Sequence, residues 1–175
     1  MRFPSHTPAV TGGDSGYTAQ ISKTEDGGKT FSTVFAENSS FYFNGIDCSP
    51  TDPNTCCAVG EGSDADAGAR IHCTTDGGKS WNRTFYSPST STVHYSLLEL
   101  RYASDTEVWA VGGALEQRST NAWFVHSSDG GKTWAADATL LKGFYGLGVT
   151  MLSPTLGFAA MVDANTQTAG LAKFF

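Results

Sequence analysis

The residues of this sequence that could do acid–base chemistry are a few acids and one arginine. Asp47 and Glu99 each lie in a short, largely apolar segment, so a fold could bring both carboxylates to one surface. Glycoside hydrolysis uses two carboxyl groups placed either about 5 Å or about 6.5–9.5 Å apart. Arg101 could bind a substrate carboxylate through paired, charge-assisted hydrogen bonds. We therefore take these three residues as the candidates for a catalytic site. A hydrogen-bonded strand position is the alternative for each.

Aromatic residues cluster just before or within the same segments. Exposed rings at these places could stack on a sugar or bind a protein, whereas packing between neighbouring elements is the alternative. The candidate ligand-binding residues are Phe41, Tyr42, Tyr95, Phe144 and Tyr145.

The sequence gives little support for binding of a metal, a cofactor or nucleic acid, or for a membrane span. The four histidines share no position in the sequence pattern described below, and the cysteines form no CxxC pair, so we expect neither a metal site nor a cofactor. The net charge of −6 and the isoelectric point near 5.0 argue against nucleic-acid binding. No apolar run approaches the roughly 20 residues that span a bilayer.

The four cysteines point to disulfide bonds. Cys48 and Cys56 flank a seven-residue loop, and Cys57 and Cys73 lie near the open ends of the hairpin that follows. This spacing favours Cys48–Cys56 and Cys57–Cys73 among three connectivities. The sequence also contains two glycosylation sequons, at Asn38 and Asn82. Together these features predict a secreted or lumenal glycoprotein.

One eight-residue pattern occurs three times: a hydroxyl residue, any residue, Asp, Gly, Gly, Lys, a second hydroxyl residue and an aromatic. Its copies are residues 24–31, 74–81 and 127–134. The Asp can accept backbone N–H groups, and adjacent glycines permit positive φ, so each copy predicts a tight turn between strands. We call these copies the repeat turns. Their aspartates are Asp26, Asp76 and Asp129, and Trp81 and Trp134 close the second and third copies.

Short apolar segments recur in step with the repeat turns, four to each repeat of about 50 residues, without helical periodicity. Four antiparallel strands per repeat form one blade of a β-propeller; a β-sandwich is the alternative. We predict an all-β segment over residues 1–175 with fourteen strands and about three and a half blades. The predicted units are an incomplete blade 1–37, blades 38–87 and 88–141, and an incomplete blade 142–175.

With these residues the chain resembles the Asp-box (BNR) repeat family, whose pattern is Ser/Thr-x-Asp-x-Gly-x-Thr-Trp. The first copy departs from it, because Phe31 stands where the family has Trp. The resemblance implies a propeller whose turns lie at the periphery, between the third and fourth strands of each blade. Asp26, Asp76 and Asp129 would then form turns and take no part in catalysis.

The family includes sialidases, xyloglucan-cleaving hydrolases, sortilin-type receptors and a photosystem II assembly factor of the plastid lumen. We expect a non-enzymatic binding or scaffold module that engages a protein or a glycan at the mouth of the channel. We also expect further blades from the same or another chain, because an open propeller leaves blade faces uncovered. The alternatives are part of a glycoside hydrolase and a lumenal protein similar to the assembly factor.

Overall fold

The computed structural model describes residues 3–8, 17–63, 67–116, 120–164, 166 and 169–174, and these residues contain strands and turns but no helix. The strands are β1 (Phe3–Pro8), β2 (Tyr17–Lys23), β3 (Ser32–Ser39), β4 (Phe41–Cys48), β5 (Cys56–Gly62), β6 (Gly68–Thr74), β7 (Asn82–Pro88), β8 (Val93–Tyr102), β9 (Val108–Glu116), β10 (Thr120–Ser127), β11 (Ala135–Lys142), β12 (Phe144–Ser153), β13 (Leu156–Asp163) and β14 (Ala169–Phe174).

These strands form four antiparallel sheets, in the orders β1-β2-β3, β4-β5-β6-β7, β8-β9-β10-β11 and β12-β13-β14. We call them the first to fourth blades. The fold class expected from the sequence is confirmed: the chain is an all-β, partial propeller of about three and a half blades. β3 runs two residues past the predicted unit end at residue 37, because Asn38 and Ser39 still pair with β2.

The first strands of the second and third blades, β4 and β8, are neighbours along the inner side of the propeller. The Asn44 side-chain amide donates a hydrogen bond to the Leu97 carbonyl at 2.9 Å. Both strands carry a β-bulge at the same place, next to Gly45 and next to Glu99. The blades are therefore held together at the channel by polar contacts as well as by packing.

The central blades are buried on both faces. All seven residues of β6 are buried, and successive side chains of a strand point to opposite faces. Ala69, Ile71 and Cys73 contribute to the core shared with the third blade. Arg70 and His72 point the other way, towards the first blade, where His72 contacts Phe35.

Both disulfide bonds link residues that face each other across neighbouring strands. Cys48 and Cys56 pair between β4 and β5, and Cys57 and Cys73 pair between β5 and β6. This is the connectivity that the spacing favoured. The Cys57–Cys73 bond lies in the core between the second and third blades, directly beneath Gly131 of the third repeat turn.

The contact at Gly131 generates a stability prediction with a matched control. Gly28 and Gly131 hold the same position of their turns, with φ of +92° and +93°. A Cβ on Gly131 would lie 2.5 Å from the Cys57 sulfur, whereas one on Gly28 would meet only the Phe31 ring, at 3.9 Å. Both alanine variants carry the cost of a side chain at positive φ. Only Gly131→Ala also overpacks a core, so we expect it to lose about 1–3 kcal/mol more.

Urea denaturation of the two variants and the parent protein measures this difference. Equal losses of unfolding free energy for Gly28→Ala and Gly131→Ala would contradict the packing of the third repeat turn on the disulfide.

Candidate functional site

The aspartates of the repeat turns hold their own backbone. One oxygen of Asp129 accepts hydrogen bonds from the amides of Lys132 and Thr133, at 2.9 and 2.8 Å, and the other accepts the Thr133 hydroxyl at 2.6 Å. Asp26 makes the same set of bonds in the first turn, and Asp76 bonds the amide and hydroxyl of Ser80. The structure thus places all three carboxylates in turns.

These bonds favour the charged form of each carboxyl group. The Thr133 hydroxyl and then its backbone amide lower the pKa of Asp129 to about 2. The equivalent bonds from Thr30 lower the pKa of Asp26 to about 2, and those from Ser80 hold the pKa of Asp76 well below its usual value. The folded turns therefore favour the ionised form of these side chains.

This electrostatic arrangement predicts an acid limit to stability. A carboxyl group whose pKa is depressed on folding contributes stability above its unfolded pKa of about 4, and that contribution is lost as the pH falls towards 2. We expect the melting temperature to be insensitive to these groups between pH 5 and 7 and to drop below pH 4. Asp129→Asn should lower the melting temperature at pH 7 and flatten the acid drop. A variant with an unchanged pH profile would contradict the assigned role.

The tryptophans that close the second and third turns pack against the preceding blade, but with different partners. The Trp134 indole N–H donates to the Thr84 hydroxyl at 3.0 Å and to the Gly131 carbonyl at 3.1 Å. The Trp81 indole nitrogen is buried and has no hydrogen-bond partner in the described part of the chain. Thr84 lies eight residues after Asp76, and the residue eight after Asp26 is Val34. The first blade thus offers no hydroxyl where the second blade offers one.

Val34→Thr should supply the missing acceptor. The side chain of Val34 lies beside the Trp81 indole, across Gly78. Because Thr is close in shape to Val, the hydroxyl can replace a methyl group and accept from the indole. We expect a gain of about 0.5–1.5 kcal/mol in unfolding free energy, the net value of one hydrogen bond. Val125→Thr, the same exchange in the core of the next interface, is the control and should be destabilising. A loss of stability in Val34→Thr would count against the assignment.

Each candidate acid has a partner of its own. The Asp47 carboxylate accepts the Tyr102 backbone amide at 3.0 Å, and Glu99 forms an ion pair with Arg101 at 2.5 Å. Asp47 pairs with Cys57, and Arg101 pairs with Trp109 at the same register position of the next blade. Asp47 therefore corresponds to Arg101 and not to Glu99. In the described residues no hydrogen bond joins the two carboxylates.

Three of the candidate aromatic residues, Phe41, Tyr95 and Phe144, hold equivalent positions at the start of an inner strand. Phe41 is only 1% exposed and packs between the first and second blades, so the prediction of an exposed ring at the mouth of the channel has to be corrected. Tyr95 packs against Trp123, with ring centroids 4.8 Å apart, and Phe144 packs against the core shared by the third and fourth blades.

Tyr42 and Tyr145 follow these positions and point to the opposite face, where they lie near Glu61. The Tyr42 hydroxyl donates to a Glu61 carboxylate oxygen at 2.5 Å. Burial raises the pKa of Tyr145, and the charge of Glu61 adds to this shift. Gly113 makes room for the Tyr145 ring, because a Cβ there would overlap it. We call Tyr42, Glu61 and Tyr145 the mouth cluster.

Glu61 was not among the residues predicted from the sequence. Its signal was the strand register: Glu61 follows the repeated Ala58-Val59-Gly60 segment and therefore pairs with Tyr42 across β4 and β5. Asn38 and Asn82, the sequon asparagines, are both exposed.

The described residues contain no group of three or more His, Cys, Asp or Glu side chains that could hold a metal ion. Nor does this part of the chain include a helix with the length and hydrophobicity needed to cross a bilayer.

Four radially arranged sheets with their first strands innermost define the chain as part of a β-propeller. A similar solved structure is YCF48 from Cyanidioschyzon merolae, with a TM-score of 0.54 and 18% sequence identity. The match covers 97% of this chain and 49% of the YCF48 chain, so the sequence spans about half of that structure. No protein-family model matches the sequence, and neither does any curated protein. At this level of identity the likeness concerns the fold.

Proposed function

We propose that the chain is a non-enzymatic binding or scaffold module of a secreted or lumenal propeller protein of the Asp-box kind. Its partner is a protein or a glycan that engages the mouth of the channel. The remaining blades come from the same or another chain, and the exposed sequon asparagines Asn38 and Asn82 are acceptors for N-glycosylation. The two disulfide bonds support the secreted or lumenal location.

The mouth cluster is the observation that carries this proposal. Tyr42, Glu61 and Tyr145 present two hydroxyl groups and one carboxylate at the start of the inner strands, each half-buried. Tyrosine offers a large rigid face together with a polar end, which suits recognition of sugars and proteins. The ion pair of Glu99 with Arg101 lies further along the inner strand β8 and adds opposite charges to the same lining.

Two alternatives keep the same fold. The likeness to YCF48 supports a scaffold role similar to that of an assembly factor, in which the partner is a protein. A hydrolase would instead use Asp47 or Glu99 as acid or base, but both already have partners within the protein.

Binding at the mouth is tested with a glycan array and with sialosides and xyloglucan as soluble probes. If the partner is a glycan, Tyr42→Ala and Glu61→Ala should each weaken binding at least about tenfold, as expected when one well-made contact worth about 1.4 kcal/mol is lost. Lys79→Ala, at an exposed position of the second repeat turn, should bind like the parent protein.

A hydrolysis screen with the same sialosides and xyloglucan accompanies the array, and we expect no turnover. Turnover that Asp47→Asn or Glu99→Gln abolishes would overturn the non-enzymatic assignment in favour of a glycoside hydrolase. Glycan binding that is indifferent to both mouth variants would show that the ligand binds elsewhere.

A further inference from the structure

An open, polar pocket lies between the first and second blades and shares no lining residue with the mouth cluster. Its volume is about 380 Å³, within the range of sites that hold small ligands. β3 supplies one wall and β6 and β7 supply the other. Phe35, Phe41 and Trp81 form its aromatic part, and Glu37, His72, Asn82 and two arginines form its polar part.

The two arginines, Arg70 and Arg83, are held close together by aromatic rings. Both guanidinium groups lie against the Tyr86 ring, at 5.3 and 4.7 Å from its centroid, and Arg70 also lies 4.4 Å from the centroid of Phe41. Arg83 is exposed and forms no ion pair within the described residues. Two like charges on one ring repel each other, so an anion between them would be favoured.

Comparison of the blades shows that packing does not require these residues. Arg70 and His72 lie six and four residues before Asp76; the residues at the same distances before Asp129 are Trp123 and Val125. Both of the latter belong to the apolar core between the second and third blades. Trp123 packs at a tilt against Tyr95 there, and the Arg70 guanidinium lies over the Phe41 ring here. The Trp123 indole between the second and third blades thus takes the place that the Arg70 guanidinium has between the first and second blades.

Burying a cation at this position is costly. Arg70 is 2% exposed and His72 is 5% exposed. Taking a charge out of water has a desolvation cost that its interactions inside the protein must offset, and the next interface has apolar residues at both positions. Burial and, to a smaller extent, the charges of Arg70 and Arg83 lower the pKa of His72 to about 4. His72 is therefore neutral at pH 7, and the positive charge of the pocket belongs to the arginines.

The remaining polar groups suit a carboxylated sugar better than a simple anion. The Glu37 carboxylate would repel any anionic group placed beside it but can accept hydrogen bonds from hydroxyl groups, so the charged end of a ligand has to lie at the arginines and a neutral, hydroxylated end at Glu37. Asn82 offers an amide that both donates and accepts, and the Trp81 indole offers a flat apolar face. A ligand with a carboxylate at one end and hydroxyl groups at the other satisfies all of these groups.

We propose that this pocket binds a hexuronate, with the sugar carboxylate between Arg70 and Arg83 and its hydroxyl groups directed to Glu37 and Asn82. The site is separate from the mouth cluster, and the proposal does not depend on the function proposed for that cluster.

Calorimetric titration of the full-length protein with galacturonate and galactose tests the charge requirement, because the two sugars differ only in the carboxylate at C6. A glycan on Asn82 would cover the pocket, so the site exists only in molecules whose Asn82 is unmodified, and the protein is expressed without N-glycosylation. We expect galacturonate to bind at least about tenfold more tightly than galactose, because only its carboxylate can accept charge-assisted hydrogen bonds from the arginines. The affinity for galacturonate should fall as salt is added. Equal affinities, or no saturable galacturonate binding, would overturn the proposal.

Three variants locate the site. Arg83→Gln should weaken galacturonate binding at least tenfold, and Arg70→Trp, which copies the next interface, should fold and lose binding. Lys132→Gln, which removes an exposed charge from the third repeat turn, should bind as the parent does. Retained affinity in Arg70→Trp would place the ligand elsewhere and overturn the proposal. N-acetylglutamate binding more tightly than galacturonate would overturn it too, by identifying an acidic peptide as the ligand.

Discussion

Burial of each sheet on both faces is the constraint on which this structure depends. A four-stranded blade has two apolar faces and cannot cover either by itself, so it is stable only between neighbours. β6 shows the consequence in sequence, because every residue from Gly68 to Thr74 is buried. Alternate residues of one strand then belong to two different cores. A substitution in such a strand is felt at one interface and leaves the other unchanged.

The repeat turns make this division of residues reliable. A slip of one residue in strand pairing would exchange the two faces of a sheet. Asp129 and its hydrogen bonds to Lys132 and Thr133 fix where β10 ends and β11 begins. Because Asp26 and Asp76 do the same in their blades, positions counted from each Asp face equivalent neighbours. Differences between blades at such positions can therefore be compared directly.

Much of the fold could be predicted from the sequence because the turns repeat. The strand number followed from the repeat, and the disulfide partners Cys57 and Cys73 followed from the hairpin that separates them. The candidate site was harder to predict from the sequence. Asp47 and Glu99 both lie on inner strands, but the bulges and the register place them at different positions of the repeat. Phe41 was predicted to be exposed, but the alternation of side chains along β4 places it in a core.

The residues that depart from the repeat lie together at the interface between the first and second blades. The interface between the second and third blades satisfies the Trp134 indole with Thr84 and buries Trp123 and Val125. The interface between the first and second blades has a valine in place of that threonine and polar residues in place of that apolar pair.

If the polar residues were neutral drift in a tolerant scaffold, we would expect them on exposed strands such as β7, where substitutions cost little. They occur instead at buried positions of a fully buried strand. Local rules that are broken together, at buried sites and around one pocket, are typical of a functional surface. The repeat therefore does more than specify the fold. It provides the reference against which Arg70 and His72 are recognised as residues that the architecture does not require.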